Sequence, residues 1–163
     1  TGGASVGVHD HIVSDLNISE GSKLNFWKIA MRPGKPLISG TVADIPLIGL
    51  PGNPVSTAIC ALVFLRPCIA HMTRNNRLGL SSIDHVFRVP VGVDLQANDH
   101  RQDYMRANLQ DSENGQIILP APHQDSSMLS VLAKANALIV RPPHDLAKRT
   151  GDMVDVIQIP DLL

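Results

Sequence analysis

Gly49-Leu50-Pro51-Gly52-Asn53-Pro54-Val55-Ser56, leading into the apolar run from Thr57 to Leu65, decides how the first half of the chain is built. Pro51-Gly52 has the composition of a type II turn: proline presets φ at the first central position and glycine accepts the positive φ needed at the second. A strand arriving from Ile45 therefore ends there. Asn53 suits an N-cap and Pro54 the first helical position, where a missing N–H costs nothing, so a helix is expected from residue 54. Its unpaired N–H groups and positive end face whatever lies before the turn, which is a physical means of holding phosphate or a similar oxyanion. The same residues also describe an ordinary strand-turn-helix corner, and the local pattern does not separate the two.

Within the expected helix, Val55, Ala58, Ile59, Leu62 and Val63 fall on one stripe, while Ala61, Phe64, Leu65 and Cys68 cover much of the rest. A helix apolar nearly all round is buried on more than one side, here against a sheet and a neighbouring helix or subunit. Arg66 and Pro67 interrupt the run, so no membrane span is expected, and Pro67 should kink or end the helix.

Upstream, Phe26–Met31 reads as a strand that delivers Arg32-Pro33-Gly34-Lys35-Pro36. If Pro33-Gly34 is the centre of a second type II turn, Arg32 and Lys35 sit within about 7 Å of each other. Two cations held that close repel unless they are solvated or share an anion, so the turn reads as an oxyanion clamp or as a solvated hairpin tip. Leu37–Val42 and Ile45–Leu50 then form a hairpin across Ala43-Asp44, which returns the chain to Pro51.

The chain opens on Thr1-Gly2-Gly3-Ala4-Ser5-Val6-Gly7, glycine-rich enough to bring backbone close to a ligand or to form an anion-binding nest. It matches neither the dinucleotide nor the Walker pattern. With no methionine and no strand before the glycines, it is expected to be a piece of a longer protein, which leaves targeting segments open. In His9-Asp10-His11, no regular structure gathers all three side chains on one face, so loop histidines compete with a metal pair. Asp10 can hold Mg²⁺ beside a phosphate or cap the helix suggested by Ile12, Val13 and Leu16.

The 163 residues can bury a real core in one ordinary domain or two small ones. With 44% hydrophobic and 18% charged residues, the chain reads as soluble and globular. A net charge of −1 and the absence of any basic block remove the electrostatic case for nucleic acid. Cys60 and Cys68, the two cysteines, are spaced for neither a disulfide framework nor a CxxC motif and read as buried small hydrophobes in a reducing compartment.

Arg74 through Ser82 is polar and aperiodic, so an α/β domain over 1–75, a linker over 76–84 and a second domain over 85–163 are expected. The second is mostly β. Val86–Val93 is a strand that Pro90 confines to an edge or a bulge. In Asp103–Leu109, Met105, Ala107 and Leu109 alternate with Tyr104, Arg106 and Asn108, which puts Arg106 on the polar face. Gln116–Leu119, Ala137–Arg141 and Met153–Ile159 complete about five strands of a small barrel or sandwich, with a short helix around Met128–Lys134.

Three of these stretches, Thr1–Gly7 with Asp10, Phe26–Pro36, and Gly49–Ser56, resemble in order and spacing the successive signatures of the MoeA family, the molybdopterin molybdenumtransferases, whose relatives include the E domain of gephyrin. Arg106 and His123-Gln124-Asp125-Ser126 resemble the family's small C-terminal β domain. The resemblance covers essentially the whole chain and the C-terminal part of a typical member. It implies the second half of a three-layer MogA-like α/β domain followed by a C-terminal β barrel or sandwich. It also implies an enzyme of molybdenum cofactor synthesis that inserts molybdate into adenylylated molybdopterin, with Mg²⁺, and releases AMP. A cytoplasmic homodimer served by a MogA-type adenylyltransferase and serving molybdoenzymes goes with it.

By position, the resemblance implies that Asp10 binds the metal, that Asp10, Arg32 and Lys35 are catalytic, and that Pro36 lines the molybdate and phosphate site. Gly2, Gly3, Ser5, Pro51, Gly52, Asn53, Pro54 and Ser56 would bind substrate, with Arg106 and Ser126 reaching in from the β domain. The chain departs from the family pattern at Val8 and His11, where an acidic residue and a tyrosine are usual. It also departs at Arg32, in place of lysine, and at Asp125, which adds negative charge beside Ser126. On its own this stretch is expected to bind oxyanion weakly and not to turn over. The competing expectations are a scaffold module of the gephyrin E-domain type and a non-catalytic pterin-binding domain.

Overall fold

The computed structural model describes residues 21–73, 86–113 and 115–159. Gly2, Gly3, Ser5, Asp10, the flanking histidines and the 76–84 linker lie outside the described residues. A three-stranded antiparallel sheet opens the described chain, in the order β1 (Ser22–Trp27), β3 (Ile38–Val42), β4 (Ile45–Gly49). The expected Phe26–Met31 strand is divided: Lys28 takes φ 69°, which ends β1, and Met31–Arg32 form a separate β2. The β3–β4 hairpin turns at Ala43 and Asp44 with φ of 48° and 63°, the two left-handed positions of the tight turn that matches strand twist.

Helix α1 (Pro54–Cys60) starts where Asn53 and Pro54 put it. It continues through a π-helical turn at Ala61–Leu65 into α2 (Arg66–Thr73). Pro67 therefore does not end the helix, one of the two outcomes expected for it. The backbone N–H of Arg66 reaches back five residues to the Ala61 carbonyl, and this wide turn directly precedes the proline that has no N–H to offer. The helical path runs 20 residues, Pro54–Thr73, and is long and apolar enough to cross a membrane, so Arg66 and Pro67 do not exclude a span as the sequence reading held. Its Val55, Ile59, Cys60 and Val63 instead join a protein core.

The second sheet has six strands in the order β2, β6 (Gln102–Ser112), β8 (Ala137–Arg141), β9 (Met153–Gln158), β5 (Val86–Pro90), with β7 (Gly115–Pro120) paired to β6. Pro90 lies on the outermost strand of that order, where its missing donor is tolerated. The sheet is sandwich-like and not closed as a barrel: beyond β5, Val91 and Ile118 of β7 meet at an isolated bridge. Strand alternation makes this sheet a wall between two cores. Leu138 and Ile157 face Met31, Leu37, Leu50, Val55, Ile59 and Cys60, while Ala137, Ile139, Val154 and Val156 pack with Val89, Val91 and Ile118. The first core draws on both sides of the expected linker, and β2 pairs with β6 in parallel through Met31–Gln102 and Arg32–Asp103. That pairing brings the Arg32 segment and the β-rich half to one place.

Candidate functional site

The corner that begins α1 is closed by side chains. Asn53 has extended φ/ψ of −69° and 126°, and its Oδ1 accepts the Ser56 N–H at 3.1 Å. The Thr57 hydroxyl donates to the Pro51 carbonyl and, at 2.9 Å, to that of Asn53. Left-handed glycines among the described residues are Gly21, Gly34, Gly115 and Gly151, so Gly52 lacks the φ of a type II turn. The Thr57 hydroxyl ties the corner in its place, a bond whose pattern the turn residues do not reveal. Pro51 and Ser56 are buried, whereas Gly52 and Pro54 are exposed. Asn53→Ala is expected to cost about 1 kcal/mol, the usual loss of an N-cap, read as a lower urea midpoint at unchanged m.

The second turn is displaced from its expected register. Arg32-Pro33 is a cis peptide, and the turn closes from the Leu37 N–H to the Gly34 carbonyl at 3.1 Å, placing Lys35-Pro36 at its centre. Gly34 has φ 124° and lies against α1. A Cβ there would stand 2.6 Å from Cys60 Sγ and 2.9 Å from Met31 Cε. The turn thus rests on the helix that Asn53 starts, and the Cys60 thiol beneath it is pushed up to about 12 by burial, which makes it inert packing. Gly34→Ala combines a disfavoured φ with overpacking and is expected to cost about 2–3 kcal/mol in a chemical-denaturation experiment. Lys35 is exposed and makes no ion pair with a described residue.

Arg32 is already partnered. Its Nη2 lies 2.5 Å from Asp103 Oδ2 and its Nη1 3.4 Å from Asp99 Oδ2, with Asn98 Oδ1 at 3.5 Å. Asp99 is also held by Arg101 at 2.5 Å and accepts the Arg101 backbone N–H at 2.8 Å. The bond to Asp103 raises the Arg32 guanidinium above its usual range, and the Arg101 side chain holds the Asp99 carboxyl well below its own. Of the two cations of the expected clamp, Arg32 is therefore paired, whereas Lys35 has no ion pair among the described residues.

Arg106 lies on β6 beside Tyr104 and Asn108, as the alternation requires, yet it is only 1% exposed. Its Nη1 donates to the Asp125 carbonyl at 3.2 Å and its Nη2 to that of His123 at 3.5 Å, while Nε has no partner. Burial lowers its pKa, opposed by the charges of Asp103 and Asp125. Gln124 pins the same strand position: its Oε1 accepts the Arg106 N–H at 3.0 Å and its Nε2 donates to the Arg106 carbonyl at 2.9 Å. The Asp125 carboxylate is occupied by the Ser127 N–H at 2.8 Å, a bond that lowers its pKa. Ser126 is half-buried in the same loop. Helix α3 (Leu129–Lys134) follows and touches both α1 and β6, which brings the Arg106 loop to the helix side of the sheet.

The described residues therefore gather two groups: Gly34–Pro36 on α1, and Arg106 with residues 123–126 near α3. Asp103, Asp99 and Gln124 were missed from sequence; Asp103 was readable only once β2 was paired with β6. Among the described residues no three His, Cys, Asp or Glu side chains cluster to hold a metal. The carboxylates beside the site, Asp99 and Asp103, are committed to arginines, so the described set does not fit Mg²⁺.

Residues 1–71 match the family described as "Probable molybdopterin binding domain", and residues 88–159 match "MoeA C-terminal region (domain IV)". A molybdopterin molybdenumtransferase of Haemophilus influenzae is 33% identical over 141 residues, covering 86% of this chain and 34% of the relative. One from Nostoc sp. is 30% identical over 167 residues, covering 98% and 37%. The chain thus spans about a third of the length of these curated relatives. Among solved structures, a molybdopterin biosynthesis moeA protein from Pyrococcus horikoshii has a TM-score of 0.66 at 20% identity, covering 90% of this chain and 34% of that one. A molybdenum cofactor biosynthesis protein from Pyrococcus furiosus has 0.64 at 20%, covering 83% and 45%. At such identity these two carry the fold.

Proposed function

Since the chain belongs to the MoeA family, matching its relatives over about a third of their length, we propose that it acts in molybdenum cofactor synthesis, binding adenylylated molybdopterin where molybdate is inserted and AMP released. The observation that carries this reading is Arg106, a buried cation whose described partners are two carbonyls at 3.2 and 3.5 Å. Those contacts are long for charge-assisted hydrogen bonds, so an oxyanion displaces them at little cost. In the interior, a guanidinium without a counter-ion binds a phosphate or molybdate oxygen far more strongly than a solvated one does.

Lys35 supplies the exposed second cation at the tip of the Gly34–Leu37 turn, with Pro36 beside it. Pro51, Gly52, Asn53, Pro54 and Ser56 form the wall at the start of α1, and Ser126 lines the loop over Arg106. Gly2, Gly3 and Ser5 complete the phosphate side. Cleavage of a phosphoanhydride spreads negative charge over phosphoryl oxygens, so positioned cations do most of the catalytic work. Asp10 holds Mg²⁺ in this reading, which rests there on resemblance. A cytoplasmic homodimer, a MogA-type adenylyltransferase as supplier and molybdoenzymes as recipients belong to the same proposal.

The test is calorimetric titration of adenylylated molybdopterin into the chain and into Lys35→Ala. Binding weakened about tenfold or more by the variant is expected from loss of one charge-assisted contact. Equal affinity for both proteins would remove Lys35 from the site.

A further inference from the structure

The last turns of the long helix carry a donor set that the oxyanion reading does not use. Within α2, Cys68, His71 and Met72 stand at positions i, i+3 and i+4, the spacing that puts side chains on one helical face. The Cys68 Sγ lies 3.9 Å from the Met72 Sδ. Cys68 is half-buried, His71 is exposed and Met72 is 61% exposed, so solvent reaches all three, whereas Ala70 between them turns inward. The other thiol is unsuited to such a role: Cys60 belongs to the core, and burial pushes it up to about 12.

The spacing and the chemistry of these donors agree. Metal–sulfur bonds run to about 2.3 Å, so two sulfurs 3.9 Å apart share one ion at an angle of about 115°, close to trigonal. The Cβ atoms of Cys68 and His71, three residues apart on a helix, stand about 5–6 Å from each other, a span that one ion held between the two side chains bridges. The third donor is a thioether, which hard ions such as Mg²⁺ do not take. Thiolate and thioether together select Cu(I), and imidazole also suits copper. Zn²⁺ is bound by thiolate, imidazole and carboxylate, of which this face offers one thiol and one imidazole.

We propose that Cys68, His71 and Met72 form a three-donor site for Cu(I) on the exposed face of α2. Binding exchanges a proton for the metal: the Cys68 S–H releases H⁺ to water, the thiolate sulfur donates to the ion, and copper stays in its +1 state throughout. Cys68 lies 14 residues beyond Pro54, about 20 Å along the helical path from the corner that begins α1, and the site does not depend on the oxyanion reading.

The experiment titrates Cu(I), held by a coloured bidentate chelator under anaerobic conditions, into the chain and into Cys68→Ser, His71→Ala and Met72→Leu. The parent chain is expected to withdraw one equivalent of copper from the chelator and to develop an ultraviolet thiolate-to-copper charge-transfer band. Cys68→Ser should abolish the band although Cys60 is retained. Loss of an outer-shell partner already weakens metal binding about 10–100-fold, so His71→Ala and Met72→Leu should each lower Cu(I) affinity at least about tenfold. Zn²⁺ affinity should be unchanged in Met72→Leu, because the thioether contributes only to the soft ion. The proposal is overturned if the parent competes for Cu(I) no better than Cys68→Ser, or if Met72→Leu or His71→Ala binds it as tightly as the parent. Copper taken up by pairs of chains joined through Cys68, seen as a copper-dependent doubling of mass in sedimentation, also overturns it. Met72 and His71 are exposed, so should Cys68→Ser lose its helical signal, the Met72→Leu and His71→Ala affinities decide on their own.

Discussion

Asp145→Ala is expected to lower stability by about 3–5 kcal/mol, because it leaves a buried guanidinium without its counter-charge. Arg141 is 3% exposed, and its Nε meets Asp145 Oδ2 at 2.5 Å. Its Nη2 donates to the carbonyls of Gln96 at 3.1 Å and Leu146 at 2.9 Å, so the side chain is locked by the 96–146 region and cannot swing into water. Lys148 adds a second contact to Asp145 at 3.0 Å. A built-in comparison is Asp155→Ala, which removes a 3.6 Å pair with Arg88 whose two side chains are 64% and 50% exposed. That loss should stay within about 1 kcal/mol. Urea unfolding of the two variants is the measurement, and equal losses would contradict the difference in burial. The acid side follows by sign. Burial raises the Asp145 carboxyl, but the bonds from Arg141 and Lys148 outweigh it and leave the folded pKa below the ordinary 3.8. The pair therefore stabilises the fold fully above the unfolded pKa and is lost as pH falls through the folded one. The gap between parent and Asp145→Ala should accordingly narrow in acid and remain constant between pH 6 and 8.

Arg106→Met is expected to separate stability from binding. The substitution removes a buried charge whose described hydrogen bonds are two long contacts to carbonyls, and Met fills much of its volume, so stability should change by less than about 2 kcal/mol in either direction. Phosphate or pyrophosphate affinity should fall about 10–100-fold, the equivalent of one charge-assisted hydrogen bond at 1.5–3 kcal/mol. Thermal melting and calorimetric titration of the same preparation read both quantities. A variant that unfolds readily but binds anion as the parent does would make Arg106 a structural residue.

Much of this architecture was readable from local chemistry. Asn53-Pro54 placed the start of α1 to the residue, Ala43-Asp44 the hairpin, and the Met105/Ala107/Leu109 alternation the faces of β6. These features depend on neighbours in sequence. What was missed depends on partners far along the chain. Arg32 read as a free cation because Asp103 lies 71 residues away and enters only when β2 joins β6 in parallel. Arg106 fell on the correct strand face, yet the polar pattern implied exposure, whereas the 121–127 loop closes over it through Gln124. Pro67 read as a kink or a stop, and the π-helical turn that carries the helix past it has no simple residue signature. The shift of the second turn from Arg32–Lys35 to Gly34–Leu37 likewise follows from tertiary contacts, with Gly34 seated on Cys60.

In the proposed reading the Gly34–Leu37 turn, the start of α1 and Arg106 serve one oxyanion. The most direct test is titration of pyrophosphate, the core of a phosphoanhydride, into ¹⁵N-labelled chain. The predicted result is a single saturable process that shifts the amides of Gly34, Lys35, Gly52 and Ser56 together with the Arg106 Nε–H, all with one dissociation constant. Shifts confined to the exposed basic residues Arg88 and Arg149, with those five resonances unmoved, would contradict it.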